Sequence, residues 1–201
     1  LFKNINKFIK HAFLNPPDVI GLSVYYWNID ISQYLIKCIR EKFGSNPIIV
    51  VGGPVIDSDE QEQYRYLKKV FSGADAIVLN EGEISFNNIL QKTIENRKNV
   101  FKDPIDGVTF LDGDKLVKGR PVGLTMDLST MGSPYLSGLL DEFMNSEYQP
   151  LIQTSRLCPY TCTFCNSPSN NVIYKEEVNT IFHRKKSIKR IRDELDFLVK
   201  K

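Results

Sequence analysis

Residues Pro47-Ile48-Ile49-Val50-Val51 constrain this chain more than any other stretch, because four consecutive β-branched side chains leave no polar face to turn toward water. A strand of that composition must be covered on both sides, as in a parallel sheet between two layers of helices. The flanking sequence supplies the other parts. Asp18 to Tyr25 is a β-rich apolar run entered through Pro16-Pro17, and Ala76 to Leu79 is a third short apolar run. Between the first two, Ile31, Tyr34, Leu35, Cys38, Ile39 and Phe43 recur at helical spacing, with Gly44 as the stop. Ser58 and Gln61 form a capping-box signal for a second helix reaching Phe71. Phe86, Ile89, Leu90, Thr93 and Ile94 mark a third helix. Strand and helix in this alternation specify an α/β fold built on a doubly wound parallel sheet.

Ligands of such sheets bind beyond the carboxyl ends of the strands. Those ends are Ser23 to Trp27, Gly52-Gly53-Pro54 and Glu81-Gly82-Glu83. The glycine pair either lets backbone approach a ligand or permits a tight turn with no ligand at all. Tyr26 and Trp27 are either pocket lining or packing residues. Val108 to Leu111 and Leu116 to Lys118 flank Asp112-Gly113-Asp114-Lys115, a hairpin signal, and Gly119 to Pro134 reads as a linker. A strand is predicted at Leu151-Ile152-Gln153-Thr154. From Ser187 an amphipathic helix aligns Ile188, Ile191, Leu195 and Leu198. Cys38, on the apolar face of its helix, is expected to be a core thiol. Arg184-Lys185-Lys186 and Lys189-Arg190 are expected on a solvated helix face.

Composition excludes several classes of partner. With 26 basic side chains against 24 acidic ones, the net charge of +2 is too small to indicate nucleic acid or an anionic membrane surface. There is neither an apolar run long enough for a membrane span nor a secretion signal, so a cytoplasmic location is expected. The chain opens without Met and its helical pattern reaches the last residues, so it is expected to be a piece of a longer protein.

Three of the four cysteines, Cys158, Cys162 and Cys165, fall in the spacing CxxxCxxC. Thiolates so crowded point to metal or redox chemistry before disulfides. Three soft ligands on one loop can hold three corners of an iron-sulfur cube and leave one iron open to a substrate. The competing reading is a structural zinc bound by the same cysteines with His183.

At these residues, with Phe164 before the last cysteine, the sequence resembles the radical S-adenosylmethionine (SAM) superfamily. The resemblance implies that Cys158, Cys162 and Cys165 ligate a 4Fe-4S cluster and that the open iron chelates SAM. Phe164 would lie near the adenine, and reductive cleavage would release a 5′-deoxyadenosyl radical. It also implies a partial (β/α) barrel, of which residues 149–201 would be the first strand, cluster loop and first helix. The upstream part is similar to the cobalamin-binding subclass of that superfamily. Residues 1–100 then correspond to a Rossmann-like cobalamin-binding domain lacking its first strand, and 101–148 to a hairpin and linker. By that resemblance Ser23, Tyr25, Gly52, Gly53, Pro54, Glu81, Gly82 and Glu83 would contact cobalamin.

Two positions depart from the family pattern. The Asp-x-His-x-x-Gly element that supplies a lower axial histidine is absent, and His11 lies in Lys10-His11-Ala12-Phe13-Leu14, so cobalamin would bind without a histidine ligand. Leu157 stands where family members commonly carry glycine beside the first cysteine. Arg156 could face cluster or substrate. The function implied is methyl transfer to an unactivated carbon of a small molecule, with a flavodoxin or ferredoxin as electron donor. A radical cyclisation or rearrangement is the alternative within the superfamily. No catalytic residue is readable.

Overall fold

The computed structural model describes residues 4–12, 14, 16–125, 127–144, 149–157 and 183–201. Cys158, Cys162, Phe164 and Cys165 lie outside the described residues. The chain divides into two compact units, Phe2–Gly123 and a second running from Leu124 to Lys201.

In the first unit, strands β1 (Val19–Ser23), β2 (Ile48–Gly52) and β3 (Ala76–Val78) pair in parallel, in that spatial order. Side chains of β2 alternate between two apolar layers. Ile49 and Val51 join Leu35, Ile36 and Ile39 of helix α2 (Ile29–Phe43), whereas Ile48 and Val50 join Ile89 of helix α4 (Gly82–Asn96). The layer with α2 also takes Leu67, from the helix that begins as α3 (Glu60–Arg65) and continues as a π-helical turn, Tyr66–Val70. Helix α1 (Ile5–Ala12) packs Ile5, Phe8 and Ile9 against this same layer. The run Ile48 to Val51 is thus buried on both faces, as its composition requires.

The sheet is mixed rather than wholly parallel, which corrects the expectation from sequence. The hairpin strands β4 (Val108–Asp112) and β5 (Lys115–Lys118) extend it, with β4 antiparallel to β3. After α4, the segment carrying Val100 and Ile105 runs under the sheet in the same layer as Ile89. The chain therefore arrives back at the carboxyl end of β3, where Val108 pairs with Val78, and can only run in reverse.

Several local expectations shift. Helix α3 is capped by Asp59, whose side chain accepts from the backbone N–H of Gln61 and Glu62, and not by Ser58. The buried stripe of α2 is Leu35, Ile36 and Ile39; Ile31 and Tyr34 are exposed. Cys38 is half-buried at the rim of that stripe, where it hydrogen-bonds Tyr34 and raises the tyrosine's pKa, so it is not a core thiol. On α4, Ile94 is exposed. Gly44 does end α2, at φ +61.

The second unit is organised differently. The predicted strand at Leu151 to Thr154 has no regular structure. Pairing begins one residue later, between β6 (Ser155–Arg156) and β7 (Arg184–Lys185), and it is antiparallel. A hydrogen bond from the Lys186 N–H to the Thr154 carbonyl prolongs it. Tyr135 Oη donates to the Leu151 carbonyl at 2.7 Å and anchors the approach to β6. Helix α5 (Ile188–Val199) is capped by Ser187 Oγ and buries Glu194, not its apolar side chains.

Candidate cofactor site

The three parallel strands end level with one another: Ser23 is the register partner of Gly52, and Gly52 of Val78. Beyond β1 the chain makes a tight turn set by Asn28. Its Oδ1 accepts from the Tyr25 N–H at 2.7 Å, and its Nδ2 donates to the Ser23 carbonyl at 3.0 Å. The turn projects three aromatic side chains into solvent. Trp27 is 78% exposed and Tyr26 61%, and the Tyr25 and Trp27 rings stack at 4.6 Å and 15°. Among the described residues, then, Tyr26 and Trp27 are not buried.

Beyond β2, Gly53 has φ +112, and a Cβ there would lie 2.5 Å from the Val24 carbonyl oxygen. The approach is held by the Val24 N–H donating to the Gly52 carbonyl at 2.7 Å. The glycine pair thus lets the β1 and β2 ends touch each other, a requirement of the fold whether or not a ligand is present. Pro54 follows, exposed. Beyond β3, Asn80 adopts φ +60, Glu81 takes the N-cap position of α4, and Gly82 and Glu83 form its first turn. The nearest neighbour of a Cβ at Gly82 would be 3.9 Å away, so this helix start is open. Ser23, Tyr25, Gly52, Gly53, Pro54, Glu81, Gly82 and Glu83 are accordingly gathered at the carboxyl ends of neighbouring strands.

Sequence reasoning missed three residues that shape this edge. Asn28 carried a readable signal, an asparagine just before a helical pattern. Gln63 and Tyr66, which bind the chain after Gly53, carried none.

A cleft of ≈ 380 Å³ lies at the other end of the strands, lined by Ile48, Asp75, Arg97 and Lys102 among others. It contains none of the candidate cofactor residues. Asp75 at its rim accepts from Arg40 Nη2 at 2.5 Å and from the Ile49 N–H at 2.7 Å. Burial nevertheless raises its pKa, against those two hydrogen bonds.

In the second unit, the β6–β7 pair stands immediately before Cys158 in sequence and after the residues that follow the cysteines. Leu157 and His183 are the next residues outward on the two strands. Leu157 has φ +64, the backbone region that glycine adopts freely and leucine rarely. The glycine-like turn is present although the glycine is not. His183 is exposed.

The basic clusters are not a solvated face throughout. Arg184 is buried, and its Nη1 donates to the Thr125 carbonyl at 2.7 Å. Lys186 Nζ and Arg190 Nε reach the two carboxylate oxygens of Glu194, a side chain only 1% exposed, at 2.9 Å and 2.8 Å. Burial opposes ionisation of Glu194, yet hydrogen bonds from Lys186, Arg190 and Ser133 outweigh it and hold the pKa below the ordinary value. Only Lys185 and Lys189 of the five are exposed as expected. Among the described residues no group of three or more His, Cys, Asp or Glu side chains could hold a metal. Among them, too, no helix is long and apolar enough to cross a membrane.

Comparison with known proteins bears on both units. The chain is 27% identical over 92% of its length to a cobalamin-dependent radical SAM methyltransferase of Streptomyces tokunonensis. It is 28% identical over 77% to a 2-(S-pantetheinyl)-carbapenam-3-carboxylate methyltransferase of Streptantibioticus cattleyicolor. The chain is a homologue of a cobalamin-dependent radical SAM methyltransferase. A 4′-phospho-dehydrooxetanocin synthase of Priestia megaterium is also similar, 25% identical over 80% of the chain. The chain spans about a quarter of the length of these relatives: 26%, 23% and 21% respectively. No protein-family profile matches it.

Proposed function

We propose that this chain is the cofactor-bearing part of a cobalamin-dependent radical SAM enzyme that transfers a methyl group to an unactivated carbon of a small molecule. The observation that carries the reading is the carboxyl edge of the sheet. The open helix start at Gly82 lies there beside the level strand ends and solvent-facing aromatic rings, a flat apolar surface of the kind that a large planar ligand covers. Ser23, Tyr25, Gly52, Gly53, Pro54, Glu81, Gly82 and Glu83 would hold cobalamin, with Tyr26 and Trp27 against the ring and no histidine below it. Cys158, Cys162 and Cys165 would hold a 4Fe-4S cluster, with Phe164 beside the adenine of SAM. On this reading residues 1–100 bind cobalamin, 101–148 connect, and 149–201 begin the radical SAM barrel.

When bound, these groups supply electron-transfer and methyl-carrier chemistry. The chain's own part is binding and orientation. Asn28 fixes the aromatic turn, the Gly52-Gly53 pair brings two strand ends together, and the β6–β7 pair holds the two ends of the cysteine segment. A small-molecule substrate and a flavodoxin- or ferredoxin-type electron donor complete the reaction.

Trp27 is the single tryptophan of the chain, so its fluorescence reports this edge alone. Hydroxocobalamin should quench it with a micromolar midpoint, and a flat titration would remove cobalamin from the reading. Anaerobic reconstitution should give about four irons per chain, lost in Cys162→Ala. Stoichiometric zinc without iron would instead select the structural-zinc reading, with His183, the residue before β7, as the fourth ligand. The synthase among the relatives keeps radical cyclisation or rearrangement open as the outcome; transfer of labelled methyl from SAM to product in the whole protein decides between them.

A further inference from the structure

The segment from Gly53 to Ser58, which leaves the end of β2, is held from below by a small polar group inside an apolar layer. Gln63 is fully buried, at 0% exposure, and its Nε2 donates to the carbonyls of Ser58 at 2.7 Å and Asp57 at 3.2 Å. Its Oε1 accepts from Thr109 Oγ1 at 3.1 Å, another buried side chain, on β4. Three residues on, Tyr66 Oη donates to the Val55 carbonyl at 2.8 Å. Their neighbours Val55, Ile56 and Leu67 are apolar. An apolar side chain would fill these positions without the cost of burying polar atoms, so what the polar ones add is a defined place for the backbone they bind.

The chemistry allows one arrangement only. Carbonyl oxygens cannot donate, so the carboxamide must present its NH2 to the turn, and its oxygen is then left for the threonine hydroxyl. Tyr66 also opens the π-helical turn, where the Phe71 N–H reaches back to the Tyr66 carbonyl at 2.7 Å. Such turns are frequent near functional sites.

We propose that Gln63, Tyr66 and Thr109 are positioning residues for the cofactor, setting the height of the Gly53–Ser58 turn against the carboxyl edge of the sheet. The inference rests on the reading of that edge as a cobalamin site. Gln63→Glu is nearly isosteric but turns an acceptor toward two carbonyls. Tyr66→Phe deletes one hydroxyl. Thr109→Val frees the amide oxygen while leaving both turn contacts.

The test is a hydroxocobalamin titration of the full chain followed by Trp27 quenching, at a temperature well below the melting point of every variant. Gln63→Glu should raise Kd tenfold or more, Tyr66→Phe several-fold and Thr109→Val least, with the depth of quenching at saturation also changed in the first two. Ile39→Val, a core change that removes none of these hydrogen bonds, serves as control for lost stability and should keep the wild-type Kd and depth. Should Gln63→Glu not fold, Tyr66→Phe against the control decides alone. If the wild type binds and Tyr66→Phe matches it in both readouts, the positioning role is wrong while the cobalamin reading stands. Equal weakening by Tyr66→Phe and Ile39→Val also overturns it. Failure of the wild type itself to bind removes the cobalamin reading and this role together.

Discussion

The helices of the two units differ in what they bury: α2 and α4 bury Ile36 and Ile89, whereas α5 buries a carboxylate. In the sheet unit the innermost residues are Ile49, Val51, Ile77, Ile89 and Phe71, and the charged pair Arg40–Asp75 sits at the rim. In the second unit the innermost side chain of α5 is Glu194, while Ile188, at 72% exposure, and Leu195 face solvent. Hydrophobic periodicity says which face of a helix would seek an apolar neighbour; it does not say which face has found one. For α2 and α4 the apolar neighbours are the strands on either side of them in sequence. Against α5 the carbonyls of Ser129 and Met131 accept from Arg190.

The sharpest way to break this contrast is to attack each unit at its centre. Phe71→Ala should destabilise the sheet unit by about 3–5 kcal/mol, the usual range for emptying a buried aromatic site, measured by urea unfolding. Glu194→Ala should cost a similar ~3–5 kcal/mol, for a different reason: two cations, Lys186 and Arg190, are left half-desolvated without their counter-charge. Loss of protection in the α5 amides by hydrogen exchange is the readout. An unchanged exchange pattern would mean that the charge cluster is not what holds α5.

Acid should separate the units by sign. The pKa of Glu194 is held below its unfolded value, so its contribution to stability is present above the ordinary carboxylate pKa and is lost as pH falls through the folded value. Asp75 is shifted up by burial, so its contribution is present below the unfolded value and lost as pH rises through the folded one. Lowering the pH from neutral should therefore first relieve the Asp75 region and only later weaken α5, as site-resolved exchange across that range would show. The smallest effect belongs to the exposed stripe. Leu195→Ser should change stability by no more than about 0.5 kcal/mol; a larger loss by thermal melting would show that this face is covered after all.

Much of the sheet unit was legible, because its decisive signals are local: a run too apolar for one-sided burial, a glycine where α2 must end, an Asp-Gly turn between β4 and β5. The mixed sheet was not, since nothing in Val108 to Leu111 states which way the chain enters the strand. The edge residues at Ser23, Gly52 and Gly82 were legible because strand ends follow from strand patterns. Gln63 was hidden within a polar run, where nothing distinguishes a buried amide from an exposed one. The Arg190–Glu194 spacing was readable as a helical ion pair, but its burial depends on Ser133 and on the carbonyls of Ser129 and Met131, all distant in sequence. The cysteine spacing was plain in sequence, and its residues lie outside those described.

The contact between Gly53 and Val24 has a consequence for anyone who randomises the turn after β2. With φ +112 and the Val24 carbonyl oxygen 2.5 Å from where a Cβ would stand, every other amino acid at 53 strains the backbone and collides with it. A library sorted only for folded protein, in medium without any cobalamin, should return glycine there nearly every time. Recovering that glycine from a screen for cofactor binding would then count as a record of folding, and the informative positions would be its neighbours, Pro54 and Tyr25.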